Sequence, residues 1–181
     1  MLEKNGKRVF TISSDWFYKT KPPHVENYNF DTPTAFDFGQ LVESIKTNKA
    51  VMLPGYDYVN HVRIPDQTPF NPNDYDVIII EGIMLYNHEE LREIIKSKIF
   101  VHTDLDVCLA RRMLRDIDER GRTVKSVIAQ WFEFVKPGYE DYIYPTMIHA
   151  DYIFNNTKDS IEENIYNDQK LLKIIEILLK E

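Results

Sequence analysis

Cysteine is nearly missing. Cys108 is the only one in 181 residues, so the chain can form no internal disulfide and no cysteine-built zinc site. Long apolar stretches are missing too. Runs such as Val77 to Ile80 stop at four residues, against the roughly 18 of a membrane-spanning helix. The stretch from Met1 to Lys7 has no apolar core of the kind that directs secretion, so a reducing cytoplasm is the expected setting. Positive charge is in short supply, with 22 Lys and Arg against 29 Asp and Glu, a formal net charge of −7. That balance excludes a broad nucleic-acid or anionic-membrane surface and leaves room only for a local basic pocket. What is present is ordinary: 43% hydrophobic and 28% charged residues exclude a disordered or low-complexity chain. One domain is the expectation for this length.

Strands and helices alternate along the chain. Lys7 to Ser13 reads as a strand that runs into Ser14-Asp15. Asp31-Thr32-Pro33-Thr34 is a helix-start signal, after which Phe38, Leu41, Val42 and Ile45 share one helical face. Val51 to Val59 and His61 to Thr68, broken at Asn60, predict a β-hairpin projecting from the body, a subdomain at about 51–70. The unbroken run from Val77 to Ile80 predicts a strand buried on both faces of a parallel sheet. A helix is expected from His88 to Ser97, a strand from Lys98 to His102, and a charged amphipathic helix from Asp104 to Asp118 ending near Gly121. A further helix is expected from Thr123 to Val135, closed by Lys136-Pro137-Gly138. A short strand from Tyr152 to Phe154 and a closing helix from Ile161 to Lys180 complete the pattern. The fold class is α/β, one domain over 1–181 around a mostly parallel sheet flanked by helices.

The acids sit where such a sheet places chemistry. Asp15 follows the first strand and Glu81 the most apolar one, and ligands in open α/β sheets bind beyond the carboxyl ends of strands. Either acid alone could be a solvated strand end. Together they suit Mg²⁺ coordination or proton removal from a hydroxyl. Arg111, Arg112, Arg115, Arg120 and Arg122 form a basic cluster across Gly121, which reads as a phosphate-facing lid at about 111–125 or as a salt-bridged surface helix among Asp104, Asp106, Asp116, Asp118 and Glu119. The hairpin carries Tyr56, Asp57, Tyr58, Asn60, His61 and Arg63, which suit a flat heterocycle or equally a hairpin packed on the body.

Five strings then carry a family resemblance: SDWFYK from Ser14, NFDTPTAFD from Asn29, PGYDYVNHVR from Pro54, VIIIEGI from Val77 and RRMLRDIDERGR from Arg111. In this order and spacing they resemble the uridine–cytidine kinases, over nearly the whole chain. The resemblance implies a P-loop NTPase-like fold and transfer of the γ-phosphoryl group of ATP or GTP, with Mg²⁺, to the 5′-hydroxyl of a pyrimidine ribonucleoside. It implies that Asp15 takes the hydroxyl proton close to the metal and that Glu81 organises the metal and its water. Asp31 would hold the ribose hydroxyls, Tyr56 and His61 the base, and Arg112, Arg122 and Gln130 the substrate. Arg115 and Arg120 would face phosphate, and Asp159 the adenine end. The family implies a small-molecule partner, no nucleic acid or membrane, and a homo-oligomer, typically a tetramer.

The family's triphosphate loop, Gly-x-x-x-x-Gly-Lys-Ser/Thr, does not occur in this sequence. Its six glycines are Gly6, Gly39, Gly55, Gly82, Gly121 and Gly138. Only Gly6 precedes a lysine, and it has no glycine five positions earlier. Against the family, the sequence begins inside the helix after that loop, so the first strand and loop are missing. The expectations that follow are a sheet that closes up, a strand supplied by a partner, or a late start of a longer protein, the last being the reading adopted. Phosphoryl transfer by the chain as written is expected to be weak or lacking. Two other functions fit the pattern: a non-catalytic nucleoside-binding or regulatory subunit, and a related kinase for another hydroxyl substrate such as pantothenate or phosphoribulose. His102, where the family has an acid, and Phe154 to Thr157 depart from the family pattern.

Overall fold

A computed structural model of the chain describes residues 2–156, 172–173 and 175–176. These fall into two compact units, 2–96 with 175–176 and 97–156 with 172–173. In chain order the first unit holds β1 (Val9–Ser13), α1 (Phe38–Lys46), β2 (Val51–Asp57), β3 (Val62–Phe70), β4 (Val77–Glu81) and α2 (Glu89–Ile94). The second holds β5 (Ile99–His102), α3 (Leu105–Asp118), α4 (Val124–Gln130) and β6 (Tyr152–Asn155). The class is α/β, as the alternation predicts.

In the first unit β1 and β4 pair in parallel, from Val9 opposite Val77 to Ser13 opposite Glu81. Arg8 and Asp76 clip the start of this ladder. The Arg8 amide and guanidinium donate to the Asp76 carboxylate at 2.8 Å each, and the Asp76 amide donates back to the Arg8 carbonyl at 2.9 Å. The Arg8 bonds hold the Asp76 carboxyl down at about 2. Strands β2 and β3 form the expected antiparallel hairpin, with a register shift between Leu53 and Gly55. Pro54 lies inside that shift, where a strand residue without an N–H is tolerated. At the tip, the Asp57 carboxylate accepts from the Val59 and Asn60 amides at 2.8 and 3.0 Å, which closes the turn. Helix α1 starts at an Asp37 N-cap whose carboxylate accepts from the Gln40 amide at 3.2 Å, and it buries Phe38, Leu41 and Val42. Ile12, Phe17, Leu41, Leu53, Phe70 and Leu91 make up the wholly or nearly buried core of this unit.

Two sequence expectations change here. Among the described residues β4 pairs only with β1, and Ile79 is 41% exposed, so β4 is not a strand buried on both faces. A purely apolar run records the capacity for two-sided burial; realising it requires a partner strand on each edge and cover on each face. The helix expected from His88 to Ser97 is also shorter, since α2 ends at Ile94. The adjacent β-branched Ile94 and Ile95 lose side-chain freedom in a helix and favour the extended backbone found at Ile95.

The second unit is built on the parallel pair β5 and β6, with Ile99 opposite Tyr152 and His102 opposite Asn155. Helix α3 leads through Gly121, at φ +61°, into α4, whose Thr123 side chain accepts from the Ser126 amide at 3.2 Å. Lys136-Pro137-Gly138 does not close this helix. The path continues as a π-helical turn (Trp131–Val135), an α-turn (Lys136–Gly138), a second π-helical turn (Tyr139–Ile143) and a 3₁₀ segment (Tyr144–His149). Pro137 sits near the start of its own short segment, where the N–H it lacks is needed least, and the wider turns on either side take up the mismatch. Most of the closing helix expected from Ile161 to Lys180 lies outside the described residues; Leu172, Lys173, Ile175 and Glu176 are helical. No described helix is long and apolar enough to cross a membrane.

The turn after β4 sets a strict steric condition. Gly82 has φ +141°, and a Cβ built there would lie 1.8 Å from the Ser14 hydroxyl and 2.8 Å from its Cβ. Ser14 is itself wholly buried. Gly82→Ala is therefore expected to destabilise the protein by about 2–4 kcal/mol, combining backbone strain with overpacking. Urea unfolding measures it; a loss under about 0.5 kcal/mol, the range of an ordinary surface change, would contradict the close approach.

Candidate functional site

Asp15, Asp31, Tyr56 and His61, expected at the hydroxyl, ribose and base, are in the first unit, and most are linked by a run of ring contacts; Arg112, Arg122 and Gln130, the other expected substrate contacts, are in the second. Asp15 lies in the 3₁₀ turn Ser14–Phe17 directly after β1, and the Tyr58 hydroxyl donates to its carboxylate at 3.4 Å. Tyr58 packs edge-on against Tyr56 at 5.3 Å between ring centroids, and Tyr56 meets Tyr18 at 5.3 Å. Tyr18 meets Phe30 edge-on at 5.8 Å, and Phe30 stacks on His61 at 4.9 Å. A continuous aromatic surface thus joins Asp15 at one end to His61 at the other. Each contact couples packing with a fixed ring orientation.

The polar atoms on this surface are set apart by burial. Burial raises the Tyr18 hydroxyl above its ordinary range, and the Asp15 and Asp31 charges act in the same direction. Both acids are therefore within electrostatic reach of one ring. Burial also pushes Tyr56 up to about 12. The Tyr56 hydroxyl is inaccessible to solvent and has no hydrogen-bond partner among the described residues. A desolvated hydroxyl of this kind is costly unless something else bonds to it. Asp31 is half-buried, and its amide donates to the Asn29 side chain at 2.9 Å, which fixes the turn before the 3₁₀ segment Pro33–Ala35. Glu81 is exposed at the end of β4, opposite Ser13 and so two residues from Asp15 along the neighbouring strand.

One residue outside the predicted site holds the arrangement in place. Arg63, on β3, donates from Nε to the Tyr18 carbonyl at 2.8 Å and from Nη2 to the Phe17 carbonyl at 2.5 Å. From Nη1 it donates to Asp37 at 3.0 Å and to the Gln40 side chain at 2.8 Å. The hairpin is thereby tied at once to the Asp15 turn and to the start of α1. Burial pushes the Asp37 carboxyl up, but the bonds from Arg63 and the Gln40 amide outweigh it and hold that group below its ordinary range. Sequence reading places Arg63 among the hairpin's polar residues without this role. The signal was its position seven residues after Tyr56 on the returning strand. A shallow cleft of about 300 Å³ nearby is lined by Lys19, Thr34, Phe36, Asp37, Asn87 and His88 and includes none of the predicted site residues.

In the second unit the basic cluster resolves around a single acid. Asp116 is wholly buried on α3, and Arg112, Arg115, Arg120 and Arg122 reach its carboxylate at 3.4, 2.9, 3.3 and 3.9 Å. Gln130 accepts from Arg112 at 3.3 Å and also from Arg122. The five residues predicted to contact substrate or phosphate from this unit are thus brought together. Arg111 points elsewhere and donates to the Asn156 carbonyl at 3.2 Å. Asp159 lies outside the described residues. Sequence reading counted Asp116 as one of five neutralising acids; its burial is what sets it apart.

Among the described residues no group of three or more His, Cys, Asp or Glu side chains could hold a metal ion. Asp15 and Glu81 leave a two-carboxylate arrangement at adjacent strand ends, all hard oxygen donors. Such a set suits Mg²⁺, which keeps several waters and takes one or two carboxylates beside substrate phosphates.

A family model described as "Phosphoribulokinase / Uridine kinase family" matches residues 16–161. Uridine-cytidine kinase A of Dictyostelium discoideum is 44% identical over 163 residues, covering 87% of this chain and 32% of that protein. Uridine-cytidine kinase B of the same organism is 41% identical over 169 residues, covering 89% and 68%. The chain spans about a third of the length of the first curated relatives it matches, between 32% and 36%. Among solved structures, phosphoribulokinase from Rhodobacter spheroides superposes with a TM-score of 0.64 at 15% identity, over 93% of this chain and 67% of that one. At that identity the likeness concerns the fold.

The guanidinium fork, not just its charge, is what Arg63 supplies. Arg63→Lys keeps one donor group and cannot span the two carbonyls, Asp37 and Gln40 together. It is expected to lower stability by about 2–3 kcal/mol, the size of a lost charged hydrogen-bond set at a half-buried site. Denaturant unfolding followed by Trp16 fluorescence measures the change. A stability equal to wild type would show that the hairpin is held by its other contacts.

Proposed function

Because the chain belongs to the phosphoribulokinase/uridine kinase family, we propose that its first unit recognises a pyrimidine ribonucleoside for phosphorylation at the 5′-hydroxyl by a nucleoside triphosphate. The observation that carries this reading is the aromatic surface running from Asp15 to His61, with the unpartnered Tyr56 hydroxyl in the middle. A flat base needs ring faces and one or two directed donors, and a sugar hydroxyl needs a carboxylate at a fixed distance from them. A phosphorylated sugar or an acyclic acid has no use for five adjacent rings. The relatives 36–44% identical to this chain, named as uridine or uridine-cytidine kinases, point the same way.

The roles follow from the chemistry each position allows. Asp15 accepts the proton of the attacking hydroxyl, and the bond from Tyr58 keeps its carboxylate turned towards the rings. Asp31 accepts from the ribose hydroxyls. Tyr56 and His61 bond the base edge and face. Arg112, Arg122 and Gln130 contact substrate, and Arg115 and Arg120 face the transferred phosphate. Asp159 serves the adenine end of the donor. Asp15 and Glu81 would hold magnesium, which would supply positive charge against that of the phosphates. The glycine–lysine loop that would cradle the β-phosphate is not in this sequence, so residues 1–181 tested alone bind nucleoside better than ATP–Mg²⁺.

Two measurements test the reading. Tyr56→Phe removes a buried hydroxyl without a partner, so the unliganded protein should keep its stability or gain up to about 1 kcal/mol, while uridine binding weakens about tenfold. Calorimetry with uridine, beside thermal unfolding, reads both; unchanged uridine affinity would remove Tyr56 from the site. For turnover, residues 1–181 should form uridine monophosphate at least ~10² more slowly than the same chain joined to a strand and Gly-x-x-x-x-Gly-Lys-Ser/Thr loop, since losing one preorganised donor alone costs ~10²–10³. Equal rates would mean that phosphate is held by other groups.

A further inference from the structure

The acid at the centre of the arginine cluster has no place in the roles above. Among the described residues, Asp116 is the one carboxylate that is wholly buried. It receives ion pairs from four arginines drawn from both sides of the Gly121 turn: Arg112 and Arg115 on α3, Arg120 and Arg122 beyond it. Its main chain takes part as well, because the Arg122 amide donates to the Asp116 carbonyl at 3.0 Å. Arg115 Nε donates to Asp116 Oδ1 at 3.0 Å, whereas Asp116 Oδ2 is buried without a hydrogen bond and is reached only by the ion pairs of Arg112 and Arg122. Gln130, on α4, ties Arg112 and Arg122 together from the other side.

A buried carboxylate is costly unless it is paired, and one partner would suffice to pair it. Four partners leave three positive charges in excess within these five groups. Three of the four arginine side chains are also part-exposed, Arg115 at 44%, Arg120 at 39% and Arg122 at 28%. The arrangement pairs one buried anion while leaving these side chains partly open to solvent. Arginine loses much rotamer freedom on binding, and ordering it before the ligand arrives lowers the cost of binding.

We propose that Asp116 is the positioning residue of the lid: it gathers Arg112, Arg115, Arg120 and Arg122 into one preformed face for the phosphates of a nucleoside triphosphate. This rests on the reading above that Arg115 and Arg120 face phosphate. Two physical pictures predict opposite signs. If Asp116 only neutralises its neighbours, it competes with an incoming anion, and removing its charge tightens anion binding. If it positions them, removing its charge releases four flexible side chains and weakens binding in spite of the added positive charge.

Calorimetric titration of the 181-residue chain with inorganic triphosphate at fixed ionic strength distinguishes them. Asp116→Asn should weaken binding at least ~10-fold, equal to about 1.4 kcal/mol. Asp116→Glu, which returns the carboxylate one methylene further out, should recover most of that loss, a rescue that a purely steric role would not give. Side-chain Nε–H signals of the four arginines should be separately resolved in wild type and should merge towards solvent-exchanged positions in Asp116→Asn. Unchanged or tighter triphosphate binding by folded Asp116→Asn overturns the proposal. So does loss of the native circular dichroism in both variants, which would assign Asp116 to folding. Arg115→Ala with Arg120→Ala provides the control. If that pair leaves triphosphate affinity unchanged, the phosphate-facing reading fails and the proposal with it. If the pair weakens binding and Asp116→Asn does not, the proposal alone fails.

Discussion

The first unit depends on one guanidinium. Arg63, standing on the hairpin, bonds at once to the Asp15 turn and to the start of α1. Its planar fork reaches two main-chain carbonyls and two side chains, and the carbonyl of Phe17 also accepts from the Asp37 amide at 2.9 Å. A two-stranded ribbon is of marginal stability on its own, and this tie adds to the burial of Leu53 and Phe70 in holding the hairpin to the body. The rings of Tyr56 and Tyr58 are carried on that ribbon, and Tyr18 and Asp15 are carried on the turn. The spacing between the His61 and Asp15 ends of the aromatic surface is therefore tied by an arginine that belongs to neither end.

Strand position was legible in the sequence, and strand partnership was not. The apolar run in β4 and the β-branched run in β1 fall where expected, and so does Glu81 opposite Ser13. Local composition fixes which segments are extended, because propensity and burial capacity are properties of the segment. How many neighbours a strand has is a property of the whole structure. β1 with β4 and β5 with β6 form separate parallel pairs among the described residues, and Ile79 and Val101 are 41% and 58% exposed in consequence.

The acids and arginines divide in the same manner. Asp15, Asp31 and Glu81 could be singled out because strand ends and turn signals are local features. Asp116 could not, because its neighbours in sequence, Asp118 and Glu119, have the same chemistry and are both exposed. Only the helical phase of α3 separates them, and an amphipathic pattern gives no reason to put a carboxylate on the buried face. The continuation of the helix through Pro137 was hidden for a related reason. Proline removes one donor, but whether the chain stops or widens into a π-turn depends on what Trp131 and Gly138 pack against, and both are buried.

In the roles proposed for them, these two arrangements would recognise ligand by different physics. The aromatic surface acts through ring contact and a desolvated hydroxyl, interactions of short range that dissolved salt hardly screens. The arginine face acts through net charge at partly exposed groups, where screening is effective within about 10 Å at ordinary ionic strength. A chain with a formal charge of −7 repels polyanions at long range, so phosphate can be drawn in only where positive charge is concentrated and held still. Four scattered lysines would be screened and would each lose side-chain entropy on binding. Four arginines gathered on one buried carboxylate have met most of that cost in folding. An acidic residue at the heart of a phosphate-facing cluster is then consistent with its function, because it determines where the positive charge is placed while cancelling only a quarter of it.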